Sequence, residues 1–382
     1  MLPESTSPVM TSPPGPVTVI DGRSYVYFAG TSYLGLAGHP EVIQAACEAV
    51  RQLGVHTATS RSGFGNNPLT LEVERRAAEF FGTERAFYFS SGYVANHIVL
   101  QALADRVDAT FVDEASHYCL LEAARLLGKP VTAFRHRDPD DLARCLRENL
   151  PAGGRPLVLT DGVFSVSGRL APVKEYLRVL EPYAPAALHL DDAHGLGVLG
   201  ENGRGVLEHF GLWGPRVNSA VEADGVSLTI CGTLAKAIGG FGGVVPGTRE
   251  FVSRVRASSH YFDGASAPSS ADAGATAKAI ELVQRQPELR RQLQANIARL
   301  RTGLRTLGLA VEDGPAANFS VEIGNGANMR RLHAELRAAG FLVPYVAKYS
   351  GLGPEGALRF AVCARHTAEM IDGVIAALRK AL

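Results

Sequence analysis

Ser227-Leu228-Thr229-Ile230-Cys231 reads as a short buried strand, and Gly232-Thr233-Leu234-Ala235-Lys236 carries it into a glycine-rich turn, Ala237-Ile238-Gly239-Gly240-Phe241-Gly242-Gly243. A second apolar run, Gly243–Val245, follows at once. Thr229–Gly247 is the most apolar stretch of the chain, yet it holds Lys236 and seven glycines or prolines, which fits a buried strand and turn and not a membrane span. Lysines are seldom buried without a reason. Desolvation favours the neutral amine, which forms imines and accepts protons. Snorkelling to solvent is the ordinary alternative, and the glycines around Lys236 disfavour it. Thr233, three residues earlier, is placed to bond a phosphate.

Working outward, short apolar runs recur at Ala86–Phe89, Thr110–Val112, Leu157–Leu159 and Ala187–Leu190. Helical periodicity covers Glu41–Leu53, Leu69–Phe81, Cys119–Leu127 and Asp140–Leu150. Strands that alternate with helices predict an α/β fold, with a mainly parallel central sheet covered on both faces. Near residue 270 the texture changes. A helical pattern spans Ala271–Leu307 with a break expected at Pro287. Strand candidates Phe319–Ile323, Leu342–Val346 and Leu358–Val362 then interleave with helices near Met329–Ala339 and Ala368–Leu378. The expected organisation is a tail and arm over 1–40, a large ligand-binding α/β domain over 41–270, and a small C-terminal α+β domain over 271–382. Within the first of these, residues 1–16 are rich in Pro, Ser and Thr and are expected to be disordered. Val17–Ala29 alternates like an edge strand.

Bulk properties narrow the function. Lys+Arg and Asp+Glu both count 38, so no global basic field exists to hold nucleic acid or an anionic membrane. The five cysteines are odd in number, widely spaced and without C-x-x-C, which argues against a disulfide framework or a structural metal site. No basic segment followed by an apolar core opens the sequence, and a cytoplasmic location is expected.

Chemistry gathers at predicted strand ends, where open α/β sheets bind ligands. Ser90-Ser91-Gly92-Tyr93 follows one strand and opens a helix; small residues there admit a phosphate to the helix N-terminus. A plain strand-to-helix turn would look the same. His189-Leu190-Asp191-Asp192-Ala193-His194-Gly195 ends another strand on a carboxylate, with an imidazole three residues on. A buried Asp191 suits a protonated ring nitrogen; the ordinary reading is a turn-capping Asp and a surface His. His117 begins a helix and could stack on a flat ring or simply cap that helix. Gly195-Leu196-Gly197-Val198-Leu199-Gly200 spells G-x-G-x-x-G, but Glu201-Asn202-Gly203-Arg204-Gly205 is a poor helix start, so the dinucleotide reading is set aside.

At these residues the chain resembles the α-oxoamine synthases, a family of pyridoxal-phosphate (PLP) enzymes of fold type I, aspartate aminotransferase-like. The likeness covers roughly residues 25–380, in order and nearly without gaps, through Tyr33-Leu34-Gly35, Ser91–Asn96, Asp113–Ala123, Asp161–Gly168, Asp191–Gly205, Thr233–Gly243 and Leu358-Arg359-Phe360. The resemblance implies that Lys236 holds PLP as a Schiff base and Asp191 pairs with its pyridinium. It implies that His194 contacts the phenolic oxygen with Ser165 close by, and that His117 stacks on the ring. Ser91, Gly92, Tyr93 and Thr233 would bind the cofactor phosphate end, and Arg359 would grip a substrate carboxylate, as its bidentate fork allows. An ion pair of Arg359 with Glu355 is the structural alternative. Departures mark a divergent member. Ser32 stands where the family usually has Asn and is a substrate-binding candidate. Gly264-Ala265-Ser266-Ala267-Pro268 replaces a stretch whose serine, here Ser266, reaches the phosphate of a second subunit.

The activity so implied is a decarboxylative Claisen condensation of an amino acid with an acyl thioester, on CoA or a carrier protein, giving an α-aminoketone. A homodimer with shared active sites is implied too. The rivals are another PLP reaction on the same fold, transamination or aldol-type cleavage, and a non-catalytic regulatory subunit.

Overall fold

The computed structural model describes residues 7–219 and 225–382. Among them, seven strands form a central sheet in the order Arg85–Phe89, Gly243–Gly247, Val226–Thr233, Ala186–Asp191, Pro156–Asp161, Ala109–Asp113 and Val131–Phe134. Gly243–Gly247 runs antiparallel to both neighbours, and the other pairings are parallel. Ala109–Asp113, Pro156–Asp161 and Ala186–Asp191 are buried from end to end. Their apolar runs are therefore continuous, because both faces of the sheet are covered. The covering helices start and stop where their sequence dictates. In Pro68–Phe81, Asn67 accepts the Thr70 N–H, proline opens the first turn, and Gly82 ends it in the left-handed region at φ 63°.

Two smaller sheets flank the large one. Asn318–Val321, Ala357–Ala361 and Tyr345–Val346 form an antiparallel C-terminal sheet with Ala357–Ala361 in its middle, which sets Arg359 on a central strand. The third sheet joins an N-terminal hairpin to Phe341–Leu342. The long C-terminal helical pattern divides at Pro287, into Ser270–Arg285 and Glu288–Arg305. Among the described residues no helix is long and apolar enough to cross a membrane.

Three expectations need correction, and one strand lies outside them. Val17–Ala29 is not one edge strand: Val17–Ile20 and Arg23–Tyr27 pair as a hairpin. Asp21 and Gly22 turn it with φ 50° and 75°, the positive pair that a tight hairpin turn requires. Residues 7–16 are not a free tail. Thr11 N–H donates to the Val19 carbonyl at 2.9 Å and Met10 bridges Ile20, so the hairpin edge satisfies backbone that composition alone left unpaired. Residues 1–6 of the expected tail lie outside the described residues. Leu342–Val346 splits at Val343-Pro344 into two short strands that join different sheets, since proline has no N–H to continue a ladder. Val131–Phe134 is a strand at the sheet edge that the apolar pattern did not reveal, because only Phe134 is buried. The G-x-G-x-x-G run opens no helix; the next helical residues are Val206–His209.

Candidate active site

Three adjacent parallel strands end at one place: Pro156–Asp161 at Asp161, Ala186–Asp191 at Asp191, and Val226–Thr233 three residues before Lys236. A cavity of about 320 Å³ opens there, at the carboxyl ends of the strands.

Lys236 Nζ lies 3.0 Å from His194 Nε2, and His194 Nδ1 lies 2.7 Å from the Tyr33 hydroxyl. Burial lowers the proton affinity of the Lys236 amine against the opposing pull of Asp191 and Asp161. His194 is held well below its ordinary range by burial and by the cations Lys236 and Arg359. Both shifts run toward the neutral forms, the direction that favours an amine able to attack or to accept a proton.

Asp191 is set in an array of donors. Ala193 N–H reaches Oδ1 at 3.0 Å; Asn96 Nδ2 and Cys119 Sγ reach Oδ2 at 2.7 and 3.4 Å. Asn96 is wholly buried and is itself held by His189, whose Nε2 lies 3.0 Å from its Oδ1. Burial pushes His189 down to about 4, so the ring is neutral, with its other nitrogen 3.0 Å from Thr229 Oγ1. Asp192, next in sequence, points away from the cavity. Its Oδ2 accepts Val206 N–H at 2.7 Å, and a side-chain carbon added at Gly195 or Gly205 would fall 2.1 or 1.9 Å from its carboxyl oxygens. Glycines 195 and 205 are thus explained by Asp192 and not by a nucleotide.

The other predicted residues divide. Ser91, Gly92 and Tyr93 wall the cavity at the start of the helix Ala95–Leu103. A side-chain carbon at Gly92 would sit 2.6 Å from Thr233 Cβ, so only glycine lets these two segments pack this closely. Thr233 Oγ1 donates to the Gly242 carbonyl at 2.8 Å. His117 caps the helix Tyr118–Leu126 and faces the cavity, with Tyr93 edge-on at 6.0 Å; burial lowers its pKa. Ser165 lines the same space. Arg359 approaches from the C-terminal sheet, donating to the Ser165 carbonyl at 3.0 Å, to the Gly30 carbonyl at 3.3 Å and to the Tyr33 hydroxyl at 3.4 Å. None of these is a carboxylate, and Glu355 instead accepts Gly326 N–H at 2.6 Å. Two predicted residues stand apart. Ser32 lines a neighbouring cavity, its hydroxyl 3.5 Å from Ala37 N, while Thr31 faces the site. Ser266 bridges Ser60 outside the cavity wall of its own chain.

Sequence reading missed Asp161, Asn96 and Tyr33. Asp161 lies directly across the strand pair from Asp191 and accepts the His117 N–H. Burial, and then the charge on Asp191, push its carboxyl well up. Its signal was available: it stands two residues past the apolar run Leu157–Leu159, much as Asp191 directly follows Ala187–Leu190.

These residues fit PLP. A buried amine of lowered proton affinity, a donor-ringed carboxylate in the same cavity, and a glycine-threonine cradle at a helix start match an aldehyde, a ring nitrogen and a phosphate. A family model described as aminotransferase class I and II matches residues 25–378. An 8-amino-7-oxononanoate synthase of Methylococcus capsulatus is 38% identical over 376 residues, covering 98% of this chain and 93% of that protein. Another, of Alkalilimnicola ehrlichii, is 36% identical, covering 95% of this chain and 89% of its own. A solved structure of serine palmitoyltransferase with PLP aligns at TM-score 0.88 and 28% identity, covering 98% of this chain and 92% of that one. The chain belongs to the aminotransferase class I and II family, PLP-dependent enzymes of fold type I, and within it to the α-oxoamine synthases. It is a PLP-dependent transferase of the Claisen-condensing kind.

Proposed function

We propose that the enzyme joins an amino acid to an acyl thioester with loss of carbon dioxide, giving an α-aminoketone. The observation that carries this reading is the shared cavity of Lys236, His194 and Asp191, with an arginine bonded to the carbonyl of the cavity-lining Ser165 and without an acidic partner among the described residues. The relatives' name supports it, because 8-amino-7-oxononanoate is itself an α-aminoketone. Its amino carbon bears a methyl group, so alanine is the first amino acid to test, with a dicarboxylic acyl thioester.

When bound, PLP supplies an electron sink for the bond broken at the substrate α-carbon. Lys236 would hold the cofactor and, once the amino group of the substrate has taken its place there, its freed amine would accept the α-proton at Nζ. Asp191 holds the ring-nitrogen proton, and its ring of donors keeps the carboxylate oriented. His194 presents a nitrogen beside Lys236, and Ser165 lies at the same end. His117 flanks the ring. Ser91, Gly92, Tyr93 and Thr233 hold the phosphate. Arg359 holds the substrate carboxylate, with Thr31 in the cavity wall and Ser32 behind it in the neighbouring cavity. The active protein is a homodimer in the cytoplasm, and Ser266 serves the site of the partner subunit.

Arg359→Ala tests the substrate end. Charge-assisted hydrogen bonds contribute about 1.5–3 kcal/mol, so KM for the amino acid should rise roughly 10- to 100-fold while PLP content stays near one per chain. A variant that melts lower but keeps its amino-acid KM would give the arginine a structural role instead.

A further inference from the structure

Tyr33 is wholly buried between the two halves of the site, and its hydroxyl has three neighbours. Arg359 Nη2 lies at 3.4 Å, His194 Nδ1 at 2.7 Å and Asn318 Oδ1 at 3.4 Å. Arginine has donors only, so it occupies a lone pair of the phenolic oxygen and leaves the hydroxyl proton to point elsewhere. The His194 nitrogen is 0.7 Å nearer than the Asn318 oxygen, the difference between 2.7 and 3.4 Å, and takes that proton. An imidazole that accepts at Nδ1 carries its own proton at Nε2 when neutral. Nε2 is the atom 3.0 Å from Lys236 Nζ.

We propose that Tyr33 is a positioning residue: its hydroxyl fixes His194 in the Nε2–H tautomer, so that His194 donates into the cavity and holds Lys236 as a free amine. This rests on the reading of Lys236 as the base. The groups facing the pair are Asp191 and Asp161 from the strand ends, His117 and Cys119 from the helix start, and Arg359 from the C-terminal sheet. Tyr33 stays a neutral phenol, since burial raises its pKa. Without the hydroxyl, the ring is free to put its proton on Nδ1, and Nε2 then accepts from Lys236. That favours the ammonium form and raises the pH at which the lysine becomes a base.

The test is Tyr33→Phe, which keeps the buried ring. Imidazole ¹⁵N shifts of the protein without PLP, assigned by comparison with His194→Gln, should show the Nε2–H form in the wild type and a mixture in the variant. In the PLP-loaded enzyme, exchange of the alanine α-proton into D2O should fall about tenfold or more. Its rising pH limb should move to higher pH, with the alanine KM changed less than about threefold. This exchange needs no acyl thioester, so it stands or falls separately from the condensation. A second comparison guards against a merely structural effect. In a His194→Gln background no tautomer remains to be set, and adding Tyr33→Phe should cost little more. Wild-type shifts and exchange in Tyr33→Phe, or an equal loss in both backgrounds, would overturn the proposal.

Discussion

Lys236→Ala should reduce product formation by at least about 10⁴-fold, since a positioned base alone contributes 10²–10⁴ and the covalent hold on the cofactor is lost with it. The fold should survive. Among the described residues the lysine side chain makes one hydrogen bond, to His194, and its amine is otherwise buried at a cost. Melting temperature should therefore stay level or rise. PLP should still bind through the phosphate cradle and Asp191, but borohydride should no longer fix it to the protein. The checks are the rate of thiol release, the melting curve and the mass of the reduced protein. A variant retaining more than about a hundredth of wild-type turnover would mean that another group does the base work.

Asp191→Asn should slow turnover by about 10²–10⁴-fold, equivalent to about 3–5 kcal/mol in the barrier. Two losses combine. An amide carries no charge to hold a ring nitrogen protonated. It also offers one acceptor where three donors converge, from Ala193, Asn96 and Cys119, so one end of the amide must face a donor with a donor. PLP content should fall only in part, because the phosphate and Lys236 are untouched. Measured turnover near wild type would shift the role to another acid. Asp192 is poorly placed for it, enclosed by Gly162, Gly195 and Gly205 on the far side of the strand end.

Much of this site was legible because its chemistry is local in sequence. Lys236 and Thr233 lie three apart in one turn, Asp191 and His194 three apart in another, and each turn follows a short apolar run that reads as a buried strand. What stayed hidden was set by partners far along the chain. Tyr33 meets His194 across 161 residues, and Asn96 meets Asp191 across 95. Nothing in the local pattern around either residue announces those meetings. The same holds for the fold. Continuous apolar strands in the sheet centre were visible, while Val131–Phe134, half exposed at an edge, was not. Asp21-Gly22 was a readable hairpin signal that alternation across Val17–Ala29 masked.

The most direct test of the proposed reaction is a stoichiometric assay of the PLP-loaded wild-type enzyme with alanine and a panel of acyl thioesters, on CoA and on carrier protein. Free thiol, carbon dioxide and α-aminoketone should appear in equal amounts, with none formed when either substrate is omitted. Amino-group transfer or carbon–carbon cleavage without thiol release would contradict the condensation, and with it the assignment of Arg359 and Lys236 to an amino acid that loses its carboxylate.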